Sequence, residues 1–257
     1  MTVLLGLVAL QVAYVLCVDR YRDRFAGARP VGTGRQLLFA EGVFVLFVAL
    51  ASPLDDLAEH YLFTAHMLQH LLITLVAAPL LLAGTPGWLL RELLAATRLT
   101  GFARWARHPL VAYSGFNLIF SLAHVPAVYE LALSNPALHA TEHLLFLLAA
   151  ILMWIPVLSP APGVLPRYPA LGQVLYLFLQ TVPASLVGAL LAASGGAFYP
   201  TYVLAPRLFG LSAVEDQQLG GLIMWVGSGL YFLIATAVVF FAWASREEAA
   251  NRRPAAV

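Results

Sequence analysis

Residues 61–84 read YLFTAHMLQHLLITLVAAPLLLAG. A helix of about 20 mostly apolar residues crosses the roughly 30 Å of a bilayer's hydrocarbon, and this stretch is long enough. Yet His66 and His70 stand near its start. Ionisable side chains inside a membrane span are costly and mark function by default. Their spacing of four puts both on one side of a helix, with His70 about 6 Å deeper at a rise of about 1.5 Å per residue. Met67 brings a soft thioether, but one residue step turns it about 100° from His66. It either touches the same site at its edge or packs elsewhere.

The rest of the chain has the same character. Of 257 residues, 61% are hydrophobic and 11% are charged, against about 45–50% and 25% in soluble domains. The composition predicts an all-α integral membrane protein. Seven segments qualify as transmembrane helices, roughly 2–18, 35–51, 62–84, 110–127, 137–158, 171–193 and 218–244, which read as one polytopic domain over 1–257. The apolar N-terminus lacks a basic leader region and reads as a retained first span. Asn135 and Pro136 read as the cap and first turn of the fifth span, and Pro183 is expected to kink the sixth. Between spans three and four, GWLLRELLAATRLTGFARWARH (87–108) mixes Trp, Leu and Arg as a helix lying along the membrane surface does. The single Cys17 leaves no internal disulfide and no CxxC metal site.

Every basic residue is arginine. Arg20, Arg22, Arg24, Arg29, Arg35, Arg91, Arg98, Arg104, Arg107, Arg167, Arg246, Arg252 and Arg253 fall on one side of the seven-span reading, and only Arg207 falls on the other. The positive-inside rule then puts the N-terminus outside and the C-terminus in the cytoplasm.

With that topology, six of the seven histidines reach the outer face. His60 lies in the second loop, His66 and His70 on span three, His124 at the end of span four, and His139 and His143 at the start of span five. Only His108 is cytoplasmic. The two pairs spaced by four, on different spans and at one depth, point to a shared site. Neutral imidazole ligates Cu, Zn, Fe or Ni, and the alternative is a structural polar network. His66, His70, His139 and His143 are the ligand candidates, with His124 and Met67 as further ones. Glu142 reads as an acceptor that orients a ligand N–H, or as a carboxylate placed favourably near a helix N-terminus. Asp55, Asp56 and Glu59 make the second loop acidic, either to draw cations or as a solvated loop. Asp216 precedes span seven as a cap. Gly220, Gly221, Gly227 and Gly229 point to close helix packing. No nucleophile elbow, P-loop, dinucleotide fingerprint or paired-carboxylate site is present, and nothing points to nucleic acid.

Four stretches in order, ASPLDDLAEHYLFTAHMLQHLLITLVAAPLLLAGTP (51–86), HATEHLLFLLAAILMWIPV (139–157), YPTYV (199–203) and EDQQLGGLIMWVGSGLYF (215–232), resemble the multi-pass CtaG family of caa-type cytochrome c oxidase assembly factors. That family is distinct from the single-span copper chaperone that shares its name. The resemblance runs from about Ser52 to Trp243. It implies a multi-pass protein of the bacterial plasma membrane, with haem–copper oxidase subunits and copper carriers as partners and copper as the ion handled. The motif positions it carries over are His66, Met67, His70, His139, His143, Tyr199, Tyr202, Asp216, Gln217, Gly220, Gly221 and Trp225, with His124 fitting the end of span four. Tyr199, Tyr202, Asp216, Gln217 and Trp225 are thereby expected to support the site. An assembly or metal-handling role is favoured over an enzyme. Zinc or haem are the alternative cofactors, and copper transport is the alternative activity, with the acidic loop as its funnel.

Overall fold

The computed structural model describes residues 2–252, so Arg253 of the arginine count lies outside the described residues. It is 80% helical, with no strand among the described residues. The helices are α1 (Thr2–Arg20), α2 (Thr33–Ala51), α3 (Pro53–His60), α4 (Phe63–Gly84), α5 (Gly87–Ala96), α6 (Thr100–Ala106), α7 (Pro109–Ala123), α8 (Pro126–Leu133), α9 (Pro136–Leu158), α10 (Ala170–Ala192), α11 (Pro200–Leu204) and α12 (Ala213–Asn251). Six are long and apolar enough to cross a membrane, and α7 with α8 makes a seventh when the bent pair is taken as one span.

α4 is the axis of the bundle. In its most apolar 18-residue stretch 67% of the residues are buried, against 17% in those of α1 and α12, and it packs against α2, α9 and α12. α10 closes the bundle between α7 and α12. Small residues set the closest approach: a Cβ on Gly188 of α10 would stand 2.7 Å from the Gly221 carbonyl of α12. A Cβ on Gly220 would stand 2.5 Å from the Phe63 ring, so α12 lies directly on the start of α4. Gly227 and Gly229 meet only ordinary contacts. Close packing belongs to the first glycine pair.

Where the elements begin and end has local causes. Asn135 Oδ1 accepts from the N–H groups of Ala137 and Leu138 at 2.9 and 3.3 Å, with Pro136 in the first turn of α9, as its sequence leads one to expect. The fourth span is shorter than the 110–127 expected as one helix. α7 stops at Ala123, and α8 departs at 76°. Pro126 disfavours helical backbone at the residue before it, and Val125 is extended. Conversely α12 starts at Ala213, earlier than the expected 218, because Ser212 and Glu215 form a capping box. Pro183 lies inside α10, which runs on to Ala192. The segment 87–108 between spans three and four forms the two short helices α5 and α6.

α4 carries a π-helical stretch at Leu72–Ala77, starting two residues after His70. In that register the Thr74 carbonyl would pair with the N–H of residue 79, but residue 79 is proline and has none. The Trp154 indole N–H of α9 supplies the bond at 3.0 Å. α4 and α9 are thus tied by a hydrogen bond below the histidines.

Candidate metal centre

Chain direction brings the starts of α4, α9 and α12, the end of α7, and the short helices α3, α8 and α11 to one end of the bundle. His66, His70, His139 and His143 converge there, all buried, with one ligand nitrogen from each within 4.8 Å of the others. The group can hold a metal ion. His66 Nε2 and His70 Nε2 stand 2.9 Å apart. That separation suits a hydrogen bond. It also suits two ligands on one ion, whose nitrogens lie about 2.9–3.3 Å apart when the bonds are about 2.0–2.1 Å.

Hydrogen bonds set which nitrogen each ring offers. The Ala58 carbonyl can only accept, so the Tyr202 hydroxyl donates to it, at 2.7 Å. The Tyr202 oxygen then accepts from His66 Nδ1–H at 3.0 Å and from the Tyr129 hydroxyl at 2.9 Å. Its hydrogen-bonding capacity is full. In the neutral ring, His66 is left with a lone pair on Nε2. His139 Nδ1–H donates to Glu59 at 2.9 Å, and His124 Nδ1–H to the Phe120 carbonyl at 2.6 Å. Both rings keep a buried Nε2 with no partner, as does His143, while His70 keeps an unpartnered Nδ1. Leaving one such buried group unsatisfied costs about 1–3 kcal/mol. The bare Nε2 atoms of His139 and His143, beside the His66–His70 pair, match the donor set of a cation-binding site, where bare imidazole nitrogens are the requirement.

His124 lies next to the four, its ring 6.3 Å from that of His70. Met67 is 1% exposed and turns toward Gly220 of α12, its Cγ 3.2 Å from where a Cβ would stand. It packs as its 100° offset allows. Glu142 is half-buried on α9, and the acceptor that His139 meets is Glu59. Trp225 is 44% exposed, with its backbone against Gly188 of α10. Tyr199 donates to the His124 carbonyl at 2.9 Å and stacks on Phe63. Gln217 accepts from the Phe198 N–H at 2.6 Å and donates to the Gly196 carbonyl at 3.1 Å, fixing the loop that leads to the tyrosines.

Asp216 does not cap its own helix, since Ser212 does. Its two carboxylate oxygens accept from the N–H groups of Phe63 and Thr64 at 2.7 and 3.0 Å. It therefore caps α4, across the bundle, at the start of the helix that carries His66 and His70. Sequence reasoning places Glu59 only in an acidic loop, not as the partner of His139, and passes over Tyr129. Glu59 had a signal, since it lies four after Asp55 in an acidic stretch before the histidines. Tyr129 had none, because it meets Tyr202 only through the bend after His124.

The Glu59 and Asp55 carboxyls are shifted in opposite directions. The hydrogen bond from His139 holds the Glu59 carboxyl below its usual range, against the upward push of burial. Burial pushes the Asp55 carboxyl up, Glu59 adds to it, and the hydrogen bond from Gln69 at 2.7 Å opposes it.

Residues 12–246 match the model of the cytochrome c oxidase caa3 assembly factor family (Caa3_CtaG). The chain belongs to that family. The match includes all four histidines of the buried group and every residue that orients them. Searches of curated proteins and of solved structures return no match.

Proposed function

We propose that this assembly factor holds copper at the four-histidine centre and passes it to a haem–copper oxidase under construction. The observation that carries the reading is the buried convergence of four imidazole nitrogens within 4.8 Å, with the rings of His66 and His139 oriented by a tyrosine and a carboxylate. Metal-bound histidines are oriented in that way. An all-imidazole donor set suits copper and also zinc. Family membership favours copper, because the client is an oxidase that contains it. The compactness of the group disfavours haem, since nitrogens this close leave room among them for an ion and not for a macrocycle. Oxidase subunits are the expected partners, and carriers that supply copper are the second class. The protein resides in the bacterial plasma membrane with its histidine end outward, following the arginine asymmetry.

Two measurements test this reading. Protein purified without a histidine tag and titrated with Cu(I) should take up about one ion per chain. A clean deletion of the gene should lower oxidase activity more than oxidase transcript, with partial rescue by added copper. Normal oxidase activity in the deletion under copper limitation refutes the assembly role for this chain. Topology reporters at Asn135 and Arg207 should read outside, and those at Arg104 and Arg167 cytoplasmic.

A further inference from the structure

The centre is closed toward the end of the bundle. Phe63, Tyr129, Tyr199 and Tyr202 stack over it, each no more than 2% exposed. On the α7 side Phe120 and Phe146 close it, at 5% and 0% exposure. The wall made by α1, α2 and α9 is different. There a cavity of about 320 Å³ reaches His139 and His143, and its sides include Asp55 and Glu59. At its rim Val3, Ala140 and Leu144 are exposed. A second cavity of about 360 Å³ shares Asp55 and Glu59 with the first and continues to Asp56 and His60, whose side chains are 70% and 61% exposed.

Taking the four-histidine centre as a metal site, we propose that the metal cation reaches it from the side, through the cleft between α1 and α9, with the carboxylates of Asp55 and Glu59 as a staging position. Glu59 fits that place: its side chain is 37% exposed, yet it hydrogen-bonds His139, whose side chain is 4% exposed. It therefore touches both the surface and the centre. Asp55 and Glu59 are four apart on α3 and line the same passage. Oxygen ligands bind soft or borderline metals less well than imidazole does, so affinity rises along the path from Asp55 and Glu59 inward. The unpartnered buried nitrogens of His139 and His143 are the first imidazole ligands that the cation meets. The pair on α4 lies behind them.

The test separates the rate of loading from the capacity of the site. In a Cys17→Ser background, Ala140→Cys and Val3→Cys place thiols on opposite walls of the cleft, and Val203→Cys places one on α11, at an exposed position on the tyrosine side. Each is labelled with a bulky maleimide in lipid nanodiscs, and Cu(I) transfer from a chromophoric chelator is followed. Labels at Ala140 and Val3 should slow loading at least about tenfold and leave the final copper per chain unchanged, while the label at Val203 should change neither. If the Ala140 label also lowers the final copper, it has disturbed the neighbouring His139, and the Val3 label on the other wall decides. Unchanged loading with Val3 blocked, or slowed loading with Val203 blocked, overturns the side route. An unlabelled protein that takes no Cu(I) removes the centre itself, a different failure.

Discussion

His66 and His70 on α4 lie beneath stacked aromatic rings, whereas His139 and His143 on α9 border a cleft whose rim is exposed. The two pairs share one spacing and a comparable depth. On α4 the orienting partner of His66 is the neutral, fully buried hydroxyl of Tyr202, and the helix start is clamped by Asp216 of α12. On α9 the orienting partner of His139 is a partly exposed carboxylate, and the helix is capped locally by Asn135. One pair is held by the interior and the other by the surface. The difference teaches that a site can need one rigid wall and one accessible wall, and that equal motifs on two helices supply them unequally.

The largest expected effect is loss of a ligand from the rigid wall. His70→Ala should weaken Cu(I) binding by more than the about 10–100-fold that loss of a supporting partner typically costs, with the helical circular dichroism spectrum unchanged. Adding His143→Ala should cost little more, because residues of one network are not additive. If the two losses simply add, the pairs hold separate ions. His108→Ala, at the far end of the bundle on the cap of α7, is the control and should leave binding as it is.

Next comes the charged partner on the accessible wall. Glu59→Ala should lower affinity about 10–100-fold, read by competition with a Cu(I) chelator. Tyr202→Phe, on the sealed wall, should lower it less, since a neutral acceptor is lost. It should also lower thermal stability by several kcal/mol, since the Ala58 carbonyl, His66 Nδ1 and the Tyr129 hydroxyl each lose a buried partner, at about 1–3 kcal/mol apiece. A larger affinity loss for Tyr202→Phe than for Glu59→Ala would reverse the assignment of the two walls. The smallest effect belongs to Asp216→Ala. Loss of a cap costs about 0.5–2 kcal/mol, so thermal unfolding should move down while affinity changes little. Ser212→Ala, the cap of α12 itself, provides the matching comparison.

Much of this was legible along the chain. The long apolar runs show the spans, because hydrocarbon demands helices with internally satisfied backbones. The spacing of four in His66/His70 and His139/His143 shows paired ligands, because the helical repeat puts such residues on one face. The cap at Asn135 and the close approach of Gly220 and Gly221 also follow from residue type. Other features depend on distant partners. Nothing local says that Asp216 caps a helix some 150 positions earlier, that Glu59 rather than Glu142 accepts the hydrogen bond from His139, or that Met67 turns to Gly220. The bend at Val125–Pro126 was hidden because the apolar pattern runs through it.

By itself, then, the sequence determined that the chain is a helical membrane protein with histidines gathered at one end. Composition and period suffice for that, since bilayer thickness and helix geometry are the same for every chain. Tertiary structure alone decided which nitrogens converge, which hydroxyl and carboxylate set their tautomers, and which wall was left open. Those outcomes depend on the angles and depths at which α4, α9 and α12 pack, and side-chain volumes spread over the whole bundle set them.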